Sequence, residues 1–209
     1  IEGLYKLFLY SHLLRNFENV PPLYVSDNSE KFILSWIKEL VPESKILYVT
    51  SDKKVFAETF YDFKFHNMYI WSGLIRKLIS EYSKSNNSQK IDKKYNKIFV
   101  SRKGVKSSTS FRQLRNAASL ELIAIEHGYE IVQPELLSLR EQVALFRNAR
   151  YVAGEYGSAL HNAIFSSPRC TFICFNQINT VQQAIAKNFG HDLIFLMPEN
   201  GHSLNEKSC

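Results

Sequence analysis

The chain lacks the features that mark membrane-spanning and zinc-binding proteins. Its apolar runs, such as 70–75 with Ser72 and Gly73 inside it, are far shorter than the roughly 20 residues that span a bilayer. No Cys-x-x-Cys pair occurs, so the ligand spacing of a structural zinc site is missing. We therefore expect no transmembrane helix and no metal site.

Cysteine is also scarce, with three residues in 209. An odd number leaves at least one thiol unpaired, which argues against a disulfide framework. Cys170 and Cys174 alternate with Phe172 and Phe175, which predicts a buried strand carrying inert thiols. A reducing compartment, the cytoplasm, is therefore expected.

Positive charge is plentiful, with a formal net charge of +6 and a pI near 9.1. An excess of this kind favours nucleic acid, a membrane surface or a phosphorylated small molecule as partner. Aromatic residues do not interleave with the basic ones, so no nucleic-acid partner is expected. One basic cluster lies between a predicted strand and a predicted helix, where its charges can converge on one anion; its members are Arg102, Lys103, Lys106, Arg112 and Arg115.

Apolar spacing predicts alternating strands and helices along the chain. The predicted helices are 4–14, 29–40, 72–83, 119–128, 138–147, one that begins near Ser158, and 181–188. The predicted strands are 23–26, 45–49, 97–101, 129–132, 151–154, 170–175 and 192–197, with a short strand or turn at 55–60. Short, continuously apolar strands of this kind are typical of a parallel sheet covered on both faces, so the fold class is α/β.

A polar, basic stretch divides this alternation into two parts. Residues 84–96 contain Ser, Asn and Lys with almost no apolar side chains, which predicts a solvated linker. Residues 97–209 are predicted to form a Rossmann-type parallel sheet domain, and residues 1–83 a smaller or incomplete α/β portion. The cleft between the two is the default ligand site. Because Ile1 is not an initiator Met, further sequence is expected upstream.

The segment 154–165 carries the most polar chemistry between two apolar elements. A strand, a glycine-bounded turn and a helix start place backbone N–H groups at the mouth of a parallel sheet, where phosphates bind. Gly157 and Ser158 would supply these donors, and Arg102 follows the strand 97–101 at its carboxyl end. The two elements are predicted to clamp one diphosphate.

Five ordered stretches together resemble the catalytic region of glycosyltransferase family 61. They are 97–103, 112–116, 128–132, 137–143 and 154–165. The resemblance covers about residues 97 to 180 and reaches the first 80 residues only by position and class.

The resemblance implies a GT-B architecture, with residues 1–83 on the acceptor side, and inverting transfer from a nucleotide-sugar without a metal or cofactor. The acceptor would be a glycan or lipid-linked glycan, as in bacterial capsule or lipopolysaccharide synthesis, with peripheral contact to an anionic inner membrane. The motif residues predicted to hold the donor are Ser101, Arg102, Lys103, Arg112, Arg115, Asn116, Glu141, Gln142, Gly154, Tyr156, Gly157, Ser158 and Asn162.

Two positions depart from the family pattern. Tyr156 stands where the family often has histidine, and Ala117 follows Asn116 where many members have glutamate. These departures keep a second function class open, a non-catalytic domain that retains the fold and binds a nucleotide or a glycan.

Several of these residues have more than one predicted role. Glu141 occupies the capping-box position after Ser138, or reaches the ribose or base of the donor, or does both. The base that deprotonates the acceptor would be Glu155 or His161, with Glu155 favoured because it directly follows a strand. Candidates for the base in the N-terminal half are Asp27, Asp52, Asp62 and His66. Asn162 is expected to fix the turn by bonding to backbone.

Overall fold

The computed structural model describes residues 2–29, 31–50, 52, 71–85, 96–103 and 116–197. The chain divides into two compact units, Ile1–Ile79 and Ser80–Cys209. The division of the sequence at a linker of residues 84–96 stays a prediction. No helix in the described parts of the chain is long and apolar enough to cross a membrane.

The first unit contains a small parallel sheet and helices. Its elements are α1 (Glu2–Asn16), β1 (Leu23–Ser26), α2 (Lys31–Leu40), β2 (Ile46–Val49) and the start of α3 (Gly73–Ser85). β1 and β2 pair in parallel. The helix predicted at 29–40 is present as α2, and its Trp36, Ile37 and Leu40 are buried. The expected strand or turn at 55–60 lies outside the described residues.

The second unit is built on a five-stranded parallel sheet. After α3 come β3 (Lys97–Val100), α4 (Ala117–Glu126), β4 (Glu130–Val132), α5 (Leu139–Asn148), β5 (Tyr151–Glu155), a 3-10 helix (Ser158–Phe165), β6 (Thr171–Phe175), α6 (Thr180–Phe189) and β7 (Asp192–Leu196). The strand order is β4-β3-β5-β6-β7. The predicted α/β class with a Rossmann-like parallel sheet is confirmed.

The central strands are buried, as their continuous apolar character predicts. Ile98, Phe99, Val100 and Val152 have almost no exposed surface. Cys170 and Cys174 are buried free thiols, and burial raises their pKa to about 12 and about 11. Both therefore stay protonated at neutral pH, as expected of inert core cysteines.

The helix after β5 begins at Ser158 as predicted, but it is a 3-10 helix and not an amphipathic α-helix. Five of its eight residues are buried: Leu160, Asn162, Ala163, Ile164 and Phe165. A surface α-helix buries only the apolar stripe that faces the core. This segment buries a larger share of its residues, so it is enclosed on more than one side. Pro168 shortly after it prevents a longer helix from forming.

The strand order reverses between β3 and β5. The chain passes from β3 to β4 on one side and then crosses back to place β5 on the other side of β3. In open parallel sheets, ligands bind outside the carboxyl ends of the strands at such a switch point. Val100 is paired with Gly154 at this end of the two strands.

Glycine is required at position 154 because β3 passes too close for a side chain. A Cβ atom there would lie 2.9 Å from the Val100 carbonyl oxygen and 3.0 Å from the Val100 Cβ. We expect Gly154→Ala to lower the free energy of unfolding by about 2 kcal/mol, because overpacking against backbone cannot relax cheaply. Urea unfolding followed by circular dichroism measures this.

Gly73→Ala is the matched control, since nothing lies within 4 Å of a Cβ atom at Gly73. At the start of a helix this change should leave stability unchanged or raise it by up to about 1 kcal/mol. Equal stability of the Gly154→Ala variant and the wild type would contradict the packing argument.

Candidate functional site

The site lies where the chain leaves β3 and β5 side by side. Since Val100 and Gly154 are paired, the residues after them, Arg102 and Tyr156, come out at the same edge of the sheet. The Arg102 Nη1 donates a hydrogen bond of 2.7 Å to the Tyr156 carbonyl oxygen. The predicted meeting of Arg102 with the turn after β5 is therefore present.

Arg102 lies directly over Gly157. A Cβ atom at Gly157 would overlap the Arg102 guanidinium, so only glycine leaves room for this arginine. The Arg102 Nε is buried and has no hydrogen-bond partner among the described residues. In a guanidinium, Nε–H and one N–H of Nη2 point in parallel along one edge, which suits two oxygens of a carboxylate or phosphate.

A second group of side chains holds the residues on either side of Arg102. The buried Ser101 hydroxyl donates a hydrogen bond of 2.6 Å to the Glu121 Oε1, and Lys103 forms an ion pair with the Glu121 Oε2. The Lys103 backbone N–H also donates to the Ser101 Oγ, at 3.2 Å. Ser101 and Lys103, which are both predicted to bind the nucleotide-sugar donor, thus contact Glu121. Their role in binding that donor stays a prediction.

Glu121 was missed by sequence reasoning. Its carboxylate is buried in α4, and its sequence neighbours in this helix are mostly apolar. A carboxylate inside the otherwise mostly apolar stretch 120–125 was the available signal. Position 117, where many members of the resembled family have glutamate, is alanine in this chain. Glu121 lies one helical turn further along, on the same side of α4.

Gln142 and Asn162 connect α5 to the 3-10 helix. The Asn162 Nδ2 donates to the Gln142 Oε1 at 2.9 Å, and the Gln142 Nε2 donates to the Leu137 carbonyl oxygen at 3.1 Å. The expected bond from Asn162 to backbone is replaced by this side-chain bond, because α5 brings an amide within reach. The pair fixes the 3-10 helix that follows Gly157.

The predicted capping box at the start of α5 is confirmed. The Ser138 backbone N–H donates to the Glu141 Oε2 at 2.7 Å, and the Glu141 N–H donates to the Ser138 Oγ at 3.3 Å. Hydrogen bonds from the Ser138 side chain and backbone lower the pKa of the exposed Glu141 carboxyl group. A contact of Glu141 with the donor stays a prediction.

The two base candidates differ in environment. Glu155 is buried at the end of β5. Burial lowers the pKa of His161 to about 4, and its buried Nε2 has no hydrogen-bond partner among the described residues. His161 is therefore neutral at physiological pH and is a weak base, because an efficient base has a pKa close to the operating pH.

The remaining predicted residues lie around this edge or outside the described parts. Tyr156 is half-buried and its N–H donates to the Phe175 carbonyl oxygen at 3.2 Å. Ser158 is exposed. Asn116 is exposed before α4 and forms no side-chain capping bond. Arg112 and Arg115 lie outside the described residues.

The parallel sheet with its switch point defines a Rossmann-like α/β protein, in which Arg102 lies beside a glycine turn at the carboxyl edge of the strands. The family model described as Glycosyltransferase 61 matches residues 10–173. The chain belongs to this family, and the protein is a glycosyltransferase, an enzyme that acts on a sugar donor and a glycan acceptor. The match extends well before residue 97, where the visible motifs begin. No curated protein sequence matches the chain.

His161 and His191 make the stability of the fold depend on pH. Burial lowers the pKa of each from 6.5 to about 4, so the unfolded chain binds protons that the folded chain does not. The free energy of unfolding should therefore fall as pH drops from 7 to 4, by about 3 kcal/mol for each histidine.

Urea unfolding at pH 7 and at pH 4 measures the fall, and His161→Gln should remove about half of the part due to the two histidines. Carboxylates that titrate in the same range are common to both proteins and cancel in the comparison. An identical fall in the variant would contradict the assignment of His161 as a buried neutral group.

Proposed function

We propose that the protein transfers a sugar from a nucleotide-sugar to a glycan or lipid-linked glycan, with inversion and without a metal ion. The bond between the sugar and the nucleoside diphosphate breaks, the pair of electrons leaves with the diphosphate, and the acceptor hydroxyl bonds to the sugar carbon. The proton of that hydroxyl passes to a base. Bacterial surface polysaccharide synthesis on the cytoplasmic side, in a GT-B enzyme, is the setting that the family resemblance favours.

The observation that supports donor binding is the placement of Arg102 at the switch point. Its Nη1 bond to the Tyr156 carbonyl orients the guanidinium, and Nε has no partner among the described residues. The edge with Nε would bind two oxygens of one phosphate of the diphosphate. The backbone N–H groups of Gly157 and Ser158 would bind the other phosphate. Fixed donors of this kind stabilise the charge that develops on the leaving group.

The transfer also needs a base that accepts the proton of the acceptor hydroxyl. His161 has a pKa of about 4, which makes proton uptake at neutral pH unfavourable, and Tyr156 stands where the family often has histidine. We therefore keep Glu155 as the preferred base. The second candidate function, nucleotide or glycan binding without catalysis, is favoured by the same two observations.

Removal of the Arg102 guanidinium tests the donor site. We expect Arg102→Ala to raise the Kd of a nucleoside diphosphate at least about a hundredfold, the scale of a lost bidentate charge-assisted pair. Isothermal titration with UDP, GDP, CDP and ADP measures this, in EDTA and again in Mg²⁺.

Arg150→Ala is the matched control, because Arg150 is exposed just before β5, at the opposite end of that strand, with its guanidinium 5.6 Å from the Tyr151 ring centre. It should bind like the wild type. Absence of binding by every nucleotide would refute the donor site, and a strict need for Mg²⁺ would refute metal independence. Donor hydrolysis without acceptor then separates an enzyme from a binding domain.

Gly157→Ala tests the geometry of the arginine without removing its charge. The backbone at Gly157 is extended, with φ 173° and ψ 168°, so alanine fits the backbone and only the guanidinium must move. We expect nearly normal stability and about tenfold weaker diphosphate binding, as one charge-assisted hydrogen bond is lost. Wild-type affinity in a folded Gly157→Ala protein would show that Arg102 need not lie on this turn.

A further inference from the structure

Glu121 is a buried carboxylate, and its side-chain contacts with described residues, Ser101 and Lys103, lie next to the candidate site. Its Oε1 accepts a hydrogen bond of 2.6 Å from the Ser101 hydroxyl, and its Oε2 forms an ion pair with the Lys103 ammonium. Burying a carboxylate is costly, and a pair with a half-exposed lysine returns little of that cost. Stability alone therefore gives a poor reason for a glutamate at this place in α4.

Its two partners flank Arg102 in the chain. The Ser101 N–H also donates to the Val132 carbonyl oxygen at 2.8 Å, which ties this residue to β4. The Lys103 N–H donates to the same Ser101 Oγ that bonds Glu121. The turn that carries Arg102 is thus held on both sides, and its guanidinium is directed to Tyr156 and Gly157.

We propose that Glu121 is a positioning residue, which holds Ser101 and Lys103 so that the Arg102 guanidinium keeps a fixed orientation toward the anion. The link to catalysis depends on the proposed function of Arg102 in donor binding. The orienting effect itself concerns the protein alone and is testable without any ligand.

The first measurement is hydrogen exchange of the Arg102 Nε–H in the full chain, followed by NMR with ¹⁵N-labelled arginine. The signal is assigned by its loss in Arg102→Lys. A buried, oriented Nε–H exchanges slowly in the wild type. We expect Glu121→Ala and Ser101→Ala to speed this exchange by about tenfold or more, which corresponds to one lost restraint.

Glu121→Gln keeps an oxygen for the Ser101 hydroxyl and loses the charge that attracts Lys103, so it should give a smaller acceleration. Glu126→Ala is the control, because Glu126 is exposed at the end of the same helix; it should leave the exchange unchanged. If Glu121→Ala does not fold, Glu121→Gln and Ser101→Ala decide. Wild-type exchange in the folded variants would overturn the proposal.

The second measurement is the Kd of the nucleoside diphosphate that binds best. Glu121→Ala should raise it about tenfold, while Glu126→Ala should not. The two proposals fail separately. If no nucleotide binds the wild type, the donor site fails, and the exchange experiment still tests Glu121. If nucleotides bind through Arg102 but Glu121 variants bind equally well, the positioning role fails.

Discussion

The close approach of β3 and β5 at the pair Val100 and Gly154 is the constraint on which the candidate site depends. With 2.9 Å between a Cβ at position 154 and the Val100 carbonyl oxygen, a side chain there would push the two central strands apart. The pairing places the reversal of strand order at this point. It also sets the positions at which Arg102 and Tyr156 leave the sheet, so the 2.7 Å bond between them follows from strand register.

Two charged side chains at this edge, Glu121 and Arg102, have different partners. On the α4 side, the Glu121 carboxylate receives Ser101 and Lys103. On the β5 side, the Arg102 guanidinium bonds only a neutral carbonyl among the described residues. The bond between Asn162 and Gln142 then fixes the 3-10 helix after Gly157, so the backbone donors of the turn would not have to be ordered for an anion to bind there.

Local features of the sequence predicted the fold well, and contacts between distant residues were not predictable. Apolar periodicity gave the described helices and strands, and the spacing from Ser138 to Glu141 gave the capping box, because both depend on neighbours within a few residues. The 3-10 form of 158–165 follows from enclosure by other elements, and so does the bond from Asn162 to Gln142. Glu121 was missed for the same reason, since its partners lie about twenty residues earlier in the chain.

The geometry at Arg102 requires an arginine and not merely a cation. One nitrogen, Nη1, is used to bond the Tyr156 carbonyl, and this bond fixes the plane of the group. A planar guanidinium carries five donors in fixed directions, so the edge with Nε can bind an anion while Nη1 keeps its bond to the protein. A lysine carries its three donors on one nitrogen at the end of a flexible chain, so a bond to the carbonyl would not fix a parallel pair of donors toward an anion. Orientation and charge therefore come from the same side chain, and the glycine at 157 is what allows it to lie on the turn.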